Sequence, residues 1–181
     1  MKKLDIIELN RINAEEFKSS NKLPIVVILD DVRSLYNVGS VFRTSDAFRI
    51  EKIILCGITA TPDKCLTEIH KTALGAEETV EWVYEKDCSK AVQKLIEKGY
   101  KTVAVEQVHN SIKLDSFKAD LSEKYALVFG NEVKGVKQQV VDMCDISIEI
   151  PQYGTKHSLN VSVSAGVVLW EFAKQMESIL E

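Results

Sequence analysis

Short apolar runs rich in β-branched residues recur along this chain, at 24–30 (PIVVILD), 52–57 (KIILCG), 79–85 (TVEWVYE), 101–107 (KTVAVEQ), 125–130 (YALVFG) and 145–151 (DISIEIP). Few folds accommodate them. Strands that are apolar along their whole length must be covered on both faces, and helix-length segments between them supply the cover. The spacing predicts helices over 37–48, 62–73, 87–98, 136–143 and 158 to about 178, with a further helix over 2–17 (KKLDIIELNRINAEEF). The expected class is therefore α/β, a largely parallel sheet with flanking helices. Sheets of this kind bind ligands beyond the carboxyl ends of their strands, so the loops at those ends are read first.

The rest of the composition narrows the setting. No Pro/Gly/Ser-rich linker divides the 181 residues, which predicts one domain over 1–181 with a short N-terminal helical extension of about 23 residues. Charges interrupt every apolar stretch near the start, so neither a signal peptide nor a membrane span is expected, and the predicted location is cytoplasmic. Cys56, Cys65, Cys88 and Cys144 lie far apart with no Cys-x-x-Cys pair and no histidine at ligand spacing; no metal site is predicted, and Cys56 and Cys144 read as small buried hydrophobes. A net charge of −4 argues against indiscriminate nucleic-acid binding, although a local basic patch suffices for a specific one.

Three strand ends carry polar, glycine-containing loops. After 24–30 comes NVGSVFRTSDAF, where Asn37 can cap the helix, Gly39 permits close backbone approach, and Arg43 shares a face with Gly39. An arginine so near a helix N-terminus has the wrong sign for the helix dipole. That leaves two readings, a ligand-binding arginine or a surface ion pair with Asp46 or Asp30. After 125–130 comes GNEVKGV, whose Gly130 and Gly135 have phosphate-loop spacing, but Val136 stands where the lysine is required, which excludes an ATP site. No Gly-x-Gly-x-x-Gly occurs either, so what remains is a tight turn bearing Glu132.

The third stretch, IPQYGTKHSLNVSVSAGVVLW, alternates polar and apolar residues like a strand and then continues as a helix. Ser158 precedes Leu159, Val163 and Val167 at i, i+4 and i+8, and Ser162 and Gly166 form a small-residue stripe beside them, so helix is the preferred reading with Ser158 as its cap. Asn160 then sits with Ser158 at the helix start. His70, His109 and His157 have no nucleophile at a recognisable spacing, which leaves a hydrolase unsupported, and Trp82 and Trp170 read as core or interface residues.

Taken in order, NVGSVFRTSDAF, LVFGNEVKGV and IPQYGTKHSLNVSVSAGVVLWE resemble the three motifs of the SpoU (TrmH-like) class of RNA 2'-O-ribose methyltransferases of the SPOUT superfamily, and KTALGAEETV between them fits the same class. The resemblance covers roughly residues 24–175. It implies a deep C-terminal trefoil knot, an exception to the general rule of unknotted chains. It also implies S-adenosylmethionine as cofactor, leaving as S-adenosylhomocysteine, with Val105, Gly130, Ile150 and Leu159 as contacts, and a homodimer with active sites near its interface. The implied substrate is tRNA or rRNA, not DNA, and the implied catalytic constellation is Asn37, Arg43, Glu132, Ser158 and Asn160. No separate RNA-binding domain is expected. The competing expectation is a non-catalytic RNA-binding or assembly protein that keeps the knotted fold.

Overall fold

The structure is a computed structural model that describes residues 1–5 and 7–181; Ile6, within the predicted N-terminal helix, lies outside the described residues. Its centre is a seven-stranded sheet of β1 (Leu23–Asp30), β2 (Ile50–Cys56), β3 (Trp82–Glu85), β4 (Tyr100–Val105), β5 (Ile112–Lys113), β6 (Lys124–Phe129) and β7 (Ile146–Glu149), in the order β3-β2-β1-β6-β4-β7-β5. Every pairing is parallel. The α/β class expected from the apolar runs is what the chain forms.

β1 shows why. Its side chains alternate between two covering layers: Ile25, Val27 and Leu29 join one buried cluster, and Val26 and Ile28 join the other. The first layer holds α2 (Leu35–Ala47), α3 (Pro62–Ala73), α4 (Ala76–Thr79) and α7 (Val161–Gln175), and the second holds α5 (Cys88–Glu97) and α6 (Gln138–Met143). A strand buried on both faces has no room for alternation in its sequence, hence the unbroken apolar run.

The boundaries differ from expectation in instructive places. Residues 2–17 do not form one helix; α1 spans Ala14–Ser19 behind a capping box in which Asn13 and Glu16 satisfy each other's backbone N–H groups, while Asn10 upstream adopts φ +47°. Thr79, read as a strand residue, closes α4 and donates its hydroxyl to Asp46, so β3 starts only at Trp82. α7 begins at Val161 rather than Ser158, because Asn160 and not Ser158 accepts the N–H groups of Ser162 and Val163. Val161, Ala165, Val168, Leu169 and Phe172 are the buried face of α7, with the Phe172 ring 5.1 Å from both Phe117 and Tyr125. Leu159, Val163 and Val167, the series read as its apolar face, are exposed together with Trp170.

Cys56 and Cys88 are buried, and Cys144 is half-buried with its thiol pushed up to about 12 by burial and by Asp145, so it stays protonated at neutral pH. Among the described residues no helix is long and apolar enough to cross a membrane, and no group of side chains could hold a metal ion.

α2 and α3 meet at Gly39, where an added Cβ would fall 2.2 Å from Thr72 Oγ1 and 2.3 Å from the Ile69 carbonyl oxygen. In an unhindered helix Gly→Ala gains about 1 kcal/mol. Here the contact reverses the sign: Gly39→Ala is expected to cost about 1–3 kcal/mol, which lowers the thermal midpoint by roughly 2–12 °C. A calorimetric scan showing an unchanged or raised midpoint would refute the close packing.

Candidate active site

The three loops singled out in the sequence converge at the carboxyl end of the sheet. Those after β6 and β7, with the segment that follows β4, wall a cavity of about 460 Å³, and the loop after β1 lies beside it. Val105, Gly130, Ile150 and Leu159 all line it, as do Glu132 and Ser158. Gly130 explains how the wall closes: a Cβ there would lie 2.1 Å from the Gly135 carbonyl carbon and from the Val136 nitrogen, so only glycine lets the turn fold back on its own strand end. Glu106, which follows β4, ties the same turn down by accepting the Val136 N–H at 3.0 Å.

Beside the cavity, Glu132 holds the start of α2. Its carboxylate accepts the N–H groups of Arg33 (3.0 Å) and Ser34 (2.9 Å) and the side-chain amide of Asn37 (3.0 Å). Burial pushes the Glu132 carboxyl upward, but those donors outweigh it and hold it below its ordinary value, so the group is anionic at neutral pH. The helix dipole favours the same charge at this end of α2.

A carboxylate only accepts, so Asn37 must turn its NH₂ toward Glu132 and present its oxygen to the other side. That oxygen accepts the Asn160 amide at 3.1 Å and the Ser162 hydroxyl at 3.4 Å. Asn160 in turn caps α7. One directional chain, from Glu132 through Asn37 to Asn160, thus ties together the loops that follow β1, β6 and β7.

A second tie lies one turn away. Lys137 Nζ is 3.1 Å from Asp30 and 2.6 Å from Asp31 at the end of β1. Burial works against its charge, yet the two carboxylates hold the lysine above its ordinary value. Asp30 is fully buried, and Asn131 donates to the Asp31 carbonyl oxygen at 2.8 Å, so β1 and the cavity turn are locked at two points.

The placement of the predicted residues is therefore uneven. Asn37 is not a cap; Ser34 caps α2, and the buried Asn37 side chain serves the network instead. Asn37, Glu132 and Asn160 come together, and Ser158 stands exposed on the cavity wall. Arg43 is not brought to the cavity. It projects from the exposed side of α2 with no hydrogen bond or ion pair among the described residues, and the ion-pair reading fails because Asp46 accepts from Thr79 and Asp30 is held by Lys137. Ser34, Glu106, Lys137 and Ser162 were not singled out as site residues; an acidic residue directly after a strand, as in VAVEQ, was the available signal for Glu106.

A parallel α/β sheet whose strand-end loops enclose such a cavity defines a small-molecule-binding class of fold. Comparison with known proteins names it. Residues 24–170 match the model of the SpoU rRNA Methylase family, and the chain belongs to that family. It is 31% identical over 172 residues to the 23S rRNA (guanosine-2'-O-)-methyltransferase RlmB of Neisseria meningitidis serogroup B, covering 92% of this chain and 65% of that protein. A similar match, 31% over 170 residues, covers 93% of this chain and 66% of RlmB from Vibrio cholerae. The chain thus spans a little under two thirds of the length of these relatives. Among solved structures, the A. aeolicus TrmH/SpoU tRNA modifying enzyme superposes with a TM-score of 0.79 at 26% identity, over 91% of this chain and 81% of that one. An AdoMet-bound rRNA methyltransferase from Sinorhizobium meliloti shares the fold, with a TM-score of 0.76 at 24% identity, over 90% and 60% of the respective chains.

Glu132→Gln puts an NH₂ where the carboxylate accepted N–H groups. The expected loss is about 1.5–3 kcal/mol of stability. Because the native Glu132 value is lowered, the difference from wild type is full above the ordinary carboxylate range near about 4.3 and disappears as pH falls through the native value. Chemical denaturation of both proteins between acidic and neutral pH measures it; a difference that persists unchanged into strong acid would contradict the role given to the carboxylate.

Proposed function

We propose that this chain transfers a methyl group from S-adenosylmethionine to a ribose 2'-hydroxyl of tRNA or ribosomal RNA. The observation that supports it best is the convergence of all four sequence-named cofactor positions on one cavity beside the Glu132–Asn37–Asn160 chain. The names of the relatives point the same way, one to guanosine 2'-O-methylation of 23S rRNA and one to tRNA modification. Residues 1–181 act in this reading as one catalytic domain with a short N-terminal extension of about 23 residues, with the passage after β7 forming the trefoil knot and the protein working in the cytoplasm.

The cavity suits the cofactor. Its volume of about 460 Å³ lies within the range of small-ligand sites, and Glu106, Glu132 and Glu149 line it with the sign that a sulfonium requires. When bound, S-adenosylmethionine supplies an electrophilic methyl group on a positively charged sulfur. Val105, Gly130, Ile150 and Leu159 would hold it, largely through backbone groups.

The chain's own residues have three tasks: to position the ribose, to accept or pass on its 2'-hydroxyl proton, and to stabilise the charge that develops on the oxygen. Glu132 is committed to α2 and is not a free base; it positions Asn37, while Asn160 and Ser158 present polar groups at the ribose. Arg43 offers a planar fork of N–H donors and no acceptor, so its task is to clamp the adjacent phosphate and stabilise the alkoxide while the proton leaves through phosphate or water. We assign that task to a homodimer, in which α2 of one protomer serves the cavity of its partner; the exposed position of Arg43 outside the cavity supports this reading. The exposed stripe of Val163, Val167 and Trp170, with open space beside Gly166, is the surface we assign to that contact.

The test is transfer of tritiated methyl from S-adenosylmethionine to total RNA from cells lacking this protein, followed by nucleoside analysis. One 2'-O-methylated nucleoside is expected; label on a base, or no label, would overturn the assignment. Arg43→Ala is expected to lower turnover roughly 100-fold or more with cofactor affinity retained in calorimetry, and Arg43→Lys should recover little. Gly130→Ala is expected to abolish calorimetric cofactor binding, since its Cβ collides with the Gly135–Val136 backbone.

A further inference from the structure

Of the five tyrosines, four are anchored by their hydroxyls: Tyr36 to Glu68, Tyr84 to the Gly57 carbonyl, Tyr100 to Glu51, and buried Tyr125 to the Asp120 N–H. Tyr153 has no hydrogen-bond or ring partner among the described residues and is 94% exposed. It sits on the loop between β7 and α7, next to Gln152 and four residues before His157, both of which line the cavity. On the facing turn, Val133 (81% exposed) and Lys134 line the same cavity.

Charge changes sign from the wall to the rim. The carboxylates that line the cavity, Glu106, Glu132 and Glu149, are half-buried, whereas Lys134 on its wall, Lys156 next to the lining residue His157, and Arg33, whose backbone N–H donates to Glu132, are exposed and have no ion-pair partner among the described residues. A chain of net charge −4 thus carries cations without an ion-pair partner on the loop that bears one unpacked aromatic ring and on the turn facing it. Val133 and Tyr153 stand on separate loops, each with an exposed lysine on the same loop, which suits an anionic partner. A ring flanked by cations matches a nucleic-acid base flanked by phosphates. Bases within a duplex are already stacked on both faces, so a free ring gains most from an unpaired one.

We propose that this rim takes an unpaired stretch of RNA, with one base stacked on Tyr153 and the flanking phosphates on Lys134 and Lys156. The proposal rests on the reading of the cavity as the methyl-transfer site and adds what selects the nucleotide delivered to it.

Fluorescence anisotropy with the full chain tests it, using a labelled, mixed-sequence single-stranded RNA of about 12 nucleotides and the same strand annealed to its complement. The single strand is expected to bind more tightly than the duplex. Tyr153→Ala is expected to weaken single-strand binding about 5- to 100-fold with little effect on the duplex, and Tyr153→Trp to restore it. Lys134→Ala and Lys156→Ala are each expected to reduce the salt slope of single-strand binding by about 0.7. Equal binding by Tyr153→Ala and wild type, tighter binding of the duplex, or no RNA binding by wild type would overturn the proposal. A Tyr153→Ala protein that keeps its RNA affinity but changes its sedimentation would give the ring to a second copy of the chain instead. Calorimetry with S-adenosylmethionine separates the two readings: a wild type that discriminates single strands through Tyr153 but binds no cofactor keeps this platform and loses the methyl-transfer assignment.

Discussion

The carboxylate of Glu132 is the group on which the rest of the site depends. It can only accept, and it accepts from two backbone N–H groups at the start of α2 and from the Asn37 amide. Hydrogen bonds to a charged group are worth about 1.5–3 kcal/mol each, so the turn after β6 and the first turn of α2 behave as one piece. The carboxylate also settles the orientation of the Asn37 amide, and through it that of Asn160. Three loops far apart in sequence are thereby aligned by one anion.

That anion works because the sheet delivers the loops to it. In an all-parallel sheet every strand ends at the same edge, and β1, β6, β4 and β7 are consecutive there. Gly130 lets the turn fold back onto its own strand without a side chain in the way, and Lys137 binds the end of β1 to the start of α6 through Asp30 and Asp31. A cavity braced at several points along its wall needs little reordering to receive a ligand, which is what the proposed alignment of a hydroxyl with a methyl group requires.

Much of this was legible in the residues alone. Strands buried on both faces announce themselves as unbroken apolar runs, and α3 fell over 62–73, where the spacing placed it. The cofactor candidates share a cavity because motif order encodes strand-end loops. What was not legible depended on choices between equivalent groups. Ser158 and Asn160 are both good caps, and only the contact with Asn37 selects Asn160. α7 carries apolar residues on more than one side, so spacing alone could not tell buried Val161 and Ala165 from exposed Val163 and Val167. β5, at two residues, is too short to show a pattern. Arg43 shares a helix with Asn37 but projects from its exposed side, a separation that motif spacing does not report.

The central claim is that the segments after β4, β6 and β7 form one cofactor site. Hydrogen–deuterium exchange with and without saturating S-adenosylmethionine tests it most directly. The account predicts simultaneous protection of residues 105–108, 130–136 and 150–161, with β3 and α3 unchanged. Protection confined to one of the three segments, or centred anywhere else in the chain, would contradict it.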